Sequence, residues 1–84
     1  MSTRAYILIN ARRDSAHRIR EYLQALPDKI LAVDIVMGPC DLVAVVEVGS
    51  VPELSEFLRH RIHTFEDVER TTTCIACDGW GAEG

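Results

Sequence analysis

Positive charge, cysteine and long apolar runs are all in short supply in this chain, and each shortage closes off a class of function. Nine Lys and Arg stand against thirteen Asp and Glu, a net charge of −4. That is the wrong sign for a surface that neutralises phosphates, so direct nucleic-acid binding is not expected. The three cysteines, Cys40, Cys74 and Cys77, are an odd number and too few for a disulfide-dense secreted scaffold, which agrees with a reducing compartment. No segment approaches the roughly 20 apolar residues that span a bilayer. Met1 to Arg4 run straight into a short apolar stretch, without the long hydrophobic region or small-residue cleavage site of a signal peptide. A cytoplasmic protein with no membrane partner is the expectation.

The 84 residues leave room for one domain. Apolar residues make up 48% and charged residues 26%, an ordinary globular balance. A domain this short leaves much of its surface exposed even when folded, so self-association would add useful burial.

Residues Ala5 to Asn10 form a β-rich apolar run, the first strand. Asp14 or Ser15 is suited to cap a helix, behind which Ala16, Ile19, Leu23 and Leu26 recur at helical spacing until Pro27-Asp28 stops it. Ile30 to Met37 and Leu42 to Val48 are both β-branched and apolar, and only Gly38-Pro39-Cys40-Asp41 lies between them, which predicts a hairpin. Ser50-Val51-Pro52-Glu53 spells a capping box. It opens a second helix with the apolar stripe Val51, Leu54, Phe57, Leu58 and Ile62. A last strand covers Val68 to Cys77, and the domain is expected to occupy residues 1–78 with a flexible tail at 79–84.

Strand, helix, strand, strand, helix, strand is the order of a ferredoxin-like α+β sandwich, a four-stranded antiparallel sheet with two helices on one face. Those helices cover one face only. Yet the first three strands are apolar on both alternating sets, for instance Ala5, Ile7 and Ile9 against Tyr6 and Leu8, and Leu42, Ala44 and Val46 against Val43 and Val45. The second face therefore calls for a partner, most simply a homodimer with sheets face to face.

Two stretches carry a family resemblance. Gly38-Pro39-Cys40-Asp41 resembles the Gly-x-Tyr-Asp hairpin of the Lrp/AsnC effector-binding (RAM) domain, and Val68-Glu69-Arg70-Thr71-Thr72-Thr73 resembles its Val-x-x-Thr-x-Thr segment. That family contains amino-acid-responsive transcription regulators, whose members usually carry a helix-turn-helix domain ahead of this module. Here only Met1 to Arg4 precede the first strand, so the resemblance implies a stand-alone effector domain. It implies a dimer, further assembly of dimers, an amino acid bound at the interfaces between them, and full-length Lrp/AsnC regulators as further partners. Cys40 stands where the family commonly has Tyr, which takes a ring out of the pocket, and Pro39 stiffens the turn.

The residues themselves make a parallel case. A Gly38-containing hairpin lets a ligand approach the backbone, and Asp41 is suited to accept hydrogen bonds from an amino group. Thr71 and Thr73, two apart on one strand, present hydroxyls to the same side. The candidate ligand site is thus Gly38, Pro39, Cys40, Asp41, Thr71 and Thr73. Gly-Pro-x-Asp is also good turn chemistry, and threonine is favoured in strands without any ligand.

Other chemistry is weaker. Cys74 and Cys77 spell Cys-x-x-Cys, but on a strand residues three apart point to opposite faces, so small buried cysteines are expected there. His60 and His63 are a helical turn apart and would need Glu66 or Asp67 to hold a metal; a solvated helix end explains them as well. No nucleophile-plus-base pattern occurs. Ferredoxin-like dimers include small enzymes, and Asn10, His17 and Tyr22 would be the set to inspect. The expectation is a non-enzymatic protein without cofactor or metal, with an assembly partner of full-length regulators as the alternative.

Overall fold

A computed structural model describes residues 2–26 and 29–77. The expected helix stop at Pro27-Asp28 and the expected tail at 79–84 lie outside them. The elements run β1 (Thr3–Ala11), α1 (Ala16–Gln24), β2 (Ile30–Ile35), β3 (Leu42–Val48), α2 (Val51–Phe57), a π-helical continuation (Leu58–Ile62) and β4 (Val68–Ile75). The sheet is antiparallel in the order β2-β3-β1-β4, as the ferredoxin-like arrangement requires.

Register decides which side chains meet the helices. Ile7 lies between Ala44 and Thr73, and Ile9 between Leu42 and Thr71. Ala5, Ile7, Ile9, Leu42, Ala44 and Val46 are all 0% exposed and share one core with Ile19 and Leu23 of α1, Leu54 and Phe57 of α2, and Ile62. Each large aliphatic side chain so buried contributes about 1.5–3 kcal/mol before entropy is counted.

The opposite face is uncovered. Its two central rows, read from β4 to β2, are Cys74, Tyr6, Val45, Ala32 and Thr72, Leu8, Val43, Asp34. Tyr6, Leu8, Val43 and Val45 are half-buried and stand outside the core cluster. β2 departs from the two-faced apolar pattern expected of it, because a register shift between Ile30 and Ala32 takes Leu31 out of phase. Leu31 is 52% exposed, and Ala32 and Asp34 reach solvent. The apolar patch is therefore confined to the two central strands.

Both helix starts differ in detail from the sequence expectation. Ser15 occupies the N-cap position of α1 but makes no capping bond; its hydroxyl donates backwards to the Arg12 carbonyl at 2.7 Å. Asp14 is left-handed (φ 59°), a conformation its short polar side chain tolerates better than most. At α2 the Ser50 hydroxyl accepts from the Glu53 amide at 3.3 Å, while Glu53 Oε1 accepts from Gly49 N at 3.0 Å, one residue earlier than a capping box prescribes. A Cβ on Gly49 would stand 2.8 Å from that oxygen, so the residue's lack of a side chain permits the contact. Val51, placed by periodicity on the apolar stripe, is 51% exposed, and Leu54 is the first buried residue of the helix. Further on, the His63 amide reaches back five residues to the Leu58 carbonyl at 2.8 Å. This wide turn is invisible to a periodicity of 3.6.

Candidate functional site

β2 ends at Ile35, two residues before the sequence suggested, because the chain turns early: Val36 N donates to the Asp41 carbonyl at 2.9 Å. The hairpin tip is tied to β1 at three points. Asp41 N donates to the Ile9 carbonyl at 2.9 Å, Asn10 Nδ2 to the Pro39 carbonyl at 3.0 Å, and Ala11 N to Asp41 Oδ2 at 2.8 Å. Asp41 is thus first a structural acceptor that closes the end of β1, and the rest of its carboxylate's acceptor capacity remains for a ligand.

The predicted site residues divide into three groups. Gly38 and Pro39 are exposed at the tip, Cys40 is 7% exposed and packed inside, and Asp41 is half-buried. Thr71 and Thr73 are half-buried on β4, opposite Ile9 and Ile7, so the β1 strand separates them from the hairpin. Thr71 Oγ1 lies 3.0 Å from His63 Nε2. Of the six residues, Asp41 alone lines a cavity of about 360 Å3, whose other walls are Ala11, Arg12, Arg13, Asp14, Ala16 and His17. Sequence reasoning missed the arginines of that wall. Their signal was an Arg-Arg pair between a strand and a helix in a chain poor in positive charge.

A second set of contacts fixes the turn between β1 and α1. Arg18 Nε and Nη2 both donate to Asp67 Oδ2, at 2.9 and 2.6 Å, and the Asp67 carbonyl accepts from Arg12 N at 2.8 Å. Asp67 is 6% exposed, so the approach to β4 is locked onto the helix start.

The remaining candidates resolve into structural roles. Cys74 and Cys77 are exposed and Cys40 is the buried thiol, contrary to the expectation of two buried cysteines on β4, because β4 is an edge strand ending at Ile75. His60 Nε2 lies 3.6 Å from Glu56 and His63 meets Thr71, so the two imidazoles take separate partners. Asn10 holds the hairpin. Tyr22 donates to the Arg61 carbonyl at 2.6 Å and stacks on Phe65 with centroids 4.4 Å apart. Asn10 and Tyr22 are thereby engaged away from His17, which lines the cavity. No helix among the described residues is long and apolar enough to cross a membrane.

The geometry has counterparts. A Thermus thermophilus protein, TTHA0845, is 36% identical and superposes with a TM-score of 0.82 over 88% of this chain and 91% of its own. Escherichia coli AsnC is 20% identical with a TM-score of 0.84, and this chain spans 50% of its length. A Neisseria meningitidis transcriptional regulator, NMB0573, solved as an L-Met complex, is 14% identical with a TM-score of 0.80 over 88% of this chain and 49% of its own. These last two likenesses are of fold. No curated protein matches the chain. The model of the Lrp/AsnC ligand binding domain matches residues 4–79, nearly the whole sequence and both candidate segments, and the chain belongs to that family.

Proposed function

We propose that this domain is a non-enzymatic, cytoplasmic sensor of an amino acid, acting in transcription regulation through assembly of its dimers. The observation that carries the reading is Asp41, the hairpin carboxylate of the family motif, held by the Ala11 amide and lining a cavity. The L-Met complex of the Neisseria regulator supports an amino acid as the class of ligand. Gly38, Pro39, Cys40, Asp41, Thr71 and Thr73 are the proposed ligand contacts. β1 separates the two segments within one chain, so a ligand touching both would sit where a neighbouring chain brings a second set close.

The dimer rests on the open sheet face. Tyr6, Leu8, Val43 and Val45 form its apolar centre, with Arg4, Glu47, Asp34 and Arg70 on the same face around it. A rim carrying both signs suits a two-fold contact, in which each charge meets the opposite one on the copy. Melting of the purified protein against each common amino acid tests the sensor. A concentration-dependent rise in Tm is expected for its ligand.

A second reading, an assembly partner of full-length Lrp/AsnC regulators without its own ligand, draws on the engagement of Asp41 and Thr71 within the chain. Co-purification with such a regulator and no melting shift from any amino acid would decide for it.

A further inference from the structure

The pair Arg12-Arg13 lines two hollows at once: the cavity of about 360 Å3 beside Asp41, and another of about 660 Å3 shared with Val68 and Glu69. Arg18, Lys29 and Arg59 are committed to Asp67, Glu53 and Glu56. Among the described residues, Arg12 and Arg13, like Arg20, Arg61 and Arg70, have no ion-pair partner. In a protein of net charge −4, two adjacent unpaired guanidiniums on a cavity wall are a concentrated anion receptor.

The rest of the wall complements a zwitterion. Asp41 accepts from the Ala11 amide and keeps acceptor capacity for an ammonium, and Asp14 adds a second carboxylate. Ala11 and Ala16 add apolar surface to the same wall.

We infer that the β1–α1 turn anchors the carboxylate of the amino-acid ligand through Arg12 and Arg13. This assignment rests on the sensor reading proposed above and adds to it a pair of anchoring residues.

Calorimetric titration of the whole chain with each common amino acid, repeated on variants of the two arginines, tests it. The double variant Arg12→Gln, Arg13→Gln should weaken binding roughly ten- to a hundredfold, the range of a lost charge-assisted hydrogen bond. The carboxamide analogue of the best ligand should lose as much against the unaltered protein, and no more against the double variant. Arg12→Lys, Arg13→Lys should recover part of the affinity, and unchanged melting of each variant without ligand separates recognition from folding. Equal affinity in the double variant overturns the anchor and leaves the sensor standing. No heat from any amino acid overturns both.

Discussion

The carboxylate of Asp41 accepts a 2.8 Å hydrogen bond from the backbone amide of Ala11, thirty residues earlier in the chain. One side chain therefore ties the β2–β3 hairpin to the end of β1 and fixes a wall of the cavity, so Asp41→Ala mixes structural damage with ligand loss. Removing the acceptor strands a half-buried amide and should cost about 1–2 kcal/mol. Asp41→Asn keeps an acceptor oxygen and should melt close to the parent, while losing the charge that an ammonium needs. Urea unfolding of both variants beside their amino-acid titrations separates the roles; equal destabilisation by both would contradict this account.

Leu8 and Val43 are paired neighbours at the centre of the uncovered sheet face. Leu8→Arg places a charge in that patch without touching the core, whose residues on β1 are Ala5, Ile7 and Ile9. Sedimentation at micromolar concentration should give a dimer for the parent and a monomer for the variant, both with native circular dichroism. A parent that sediments as a monomer would remove the face-to-face dimer.

The thiols report on the same surface. Cys40 is buried and should react with a thiol reagent only after unfolding, whereas Cys77 should react at once. Cys74 pairs with Tyr6 on the open face. It should label slowly in the dimer and faster once Leu8→Arg separates the protomers. Two rapidly labelled thiols at every concentration would place Cys74 outside any interface.

Ile7 is fully buried at the middle of β1, between Ala44 and Thr73. Ile7→Ala leaves a cavity where β1 meets both helices' core and should cost about 2–5 kcal/mol in denaturant unfolding. In a domain whose total stability is on the order of 5–15 kcal/mol, that loss is expected to lower soluble yield as well.

The start of α2 should show a pH dependence of defined sign. The Lys29 ammonium donates to Glu53 Oε2 at 2.8 Å and the Gly49 amide to Oε1 at 3.0 Å, which together hold this carboxyl below the ordinary glutamate value. A lowered folded-state pKa means that the contribution is full above the unfolded value of about 4.3 and is lost as pH falls through the lower folded one. The pair is exposed, so the effect should be small and should weaken in salt. Unfolding of Glu53→Gln beside the parent should differ most at neutral pH, and the gap should close under acid conditions. A gap that widens on acidification would reverse the sign.

Much of the fold was legible in the chain because it is written in local patterns. Alternation at Ala5, Ile7 and Ile9 against Tyr6 and Leu8 identified a strand with two apolar faces, and the spacing of Ile19 and Leu23 gave α1 its buried side. Ser50 and Glu53 marked the start of α2, and Gly38 to Asp41 with the threonines of β4 named the family. Tertiary structure decided everything that depends on what a side chain meets across the sequence. Ser15 has a capping residue's chemistry, yet the Arg12 carbonyl is nearer to hand. A register shift takes Leu31 out of phase within β2, Cys74 faces the open side of the sheet, and the end of β4 leaves Cys77 in solvent. Asp41 meets Ala11, and Arg12 and Arg13 come to line its cavity, only because β1 lies between the hairpin and β4 and ends beside both. Periodicity records which face of its own element a residue occupies; long-range register determines which residues share a pocket.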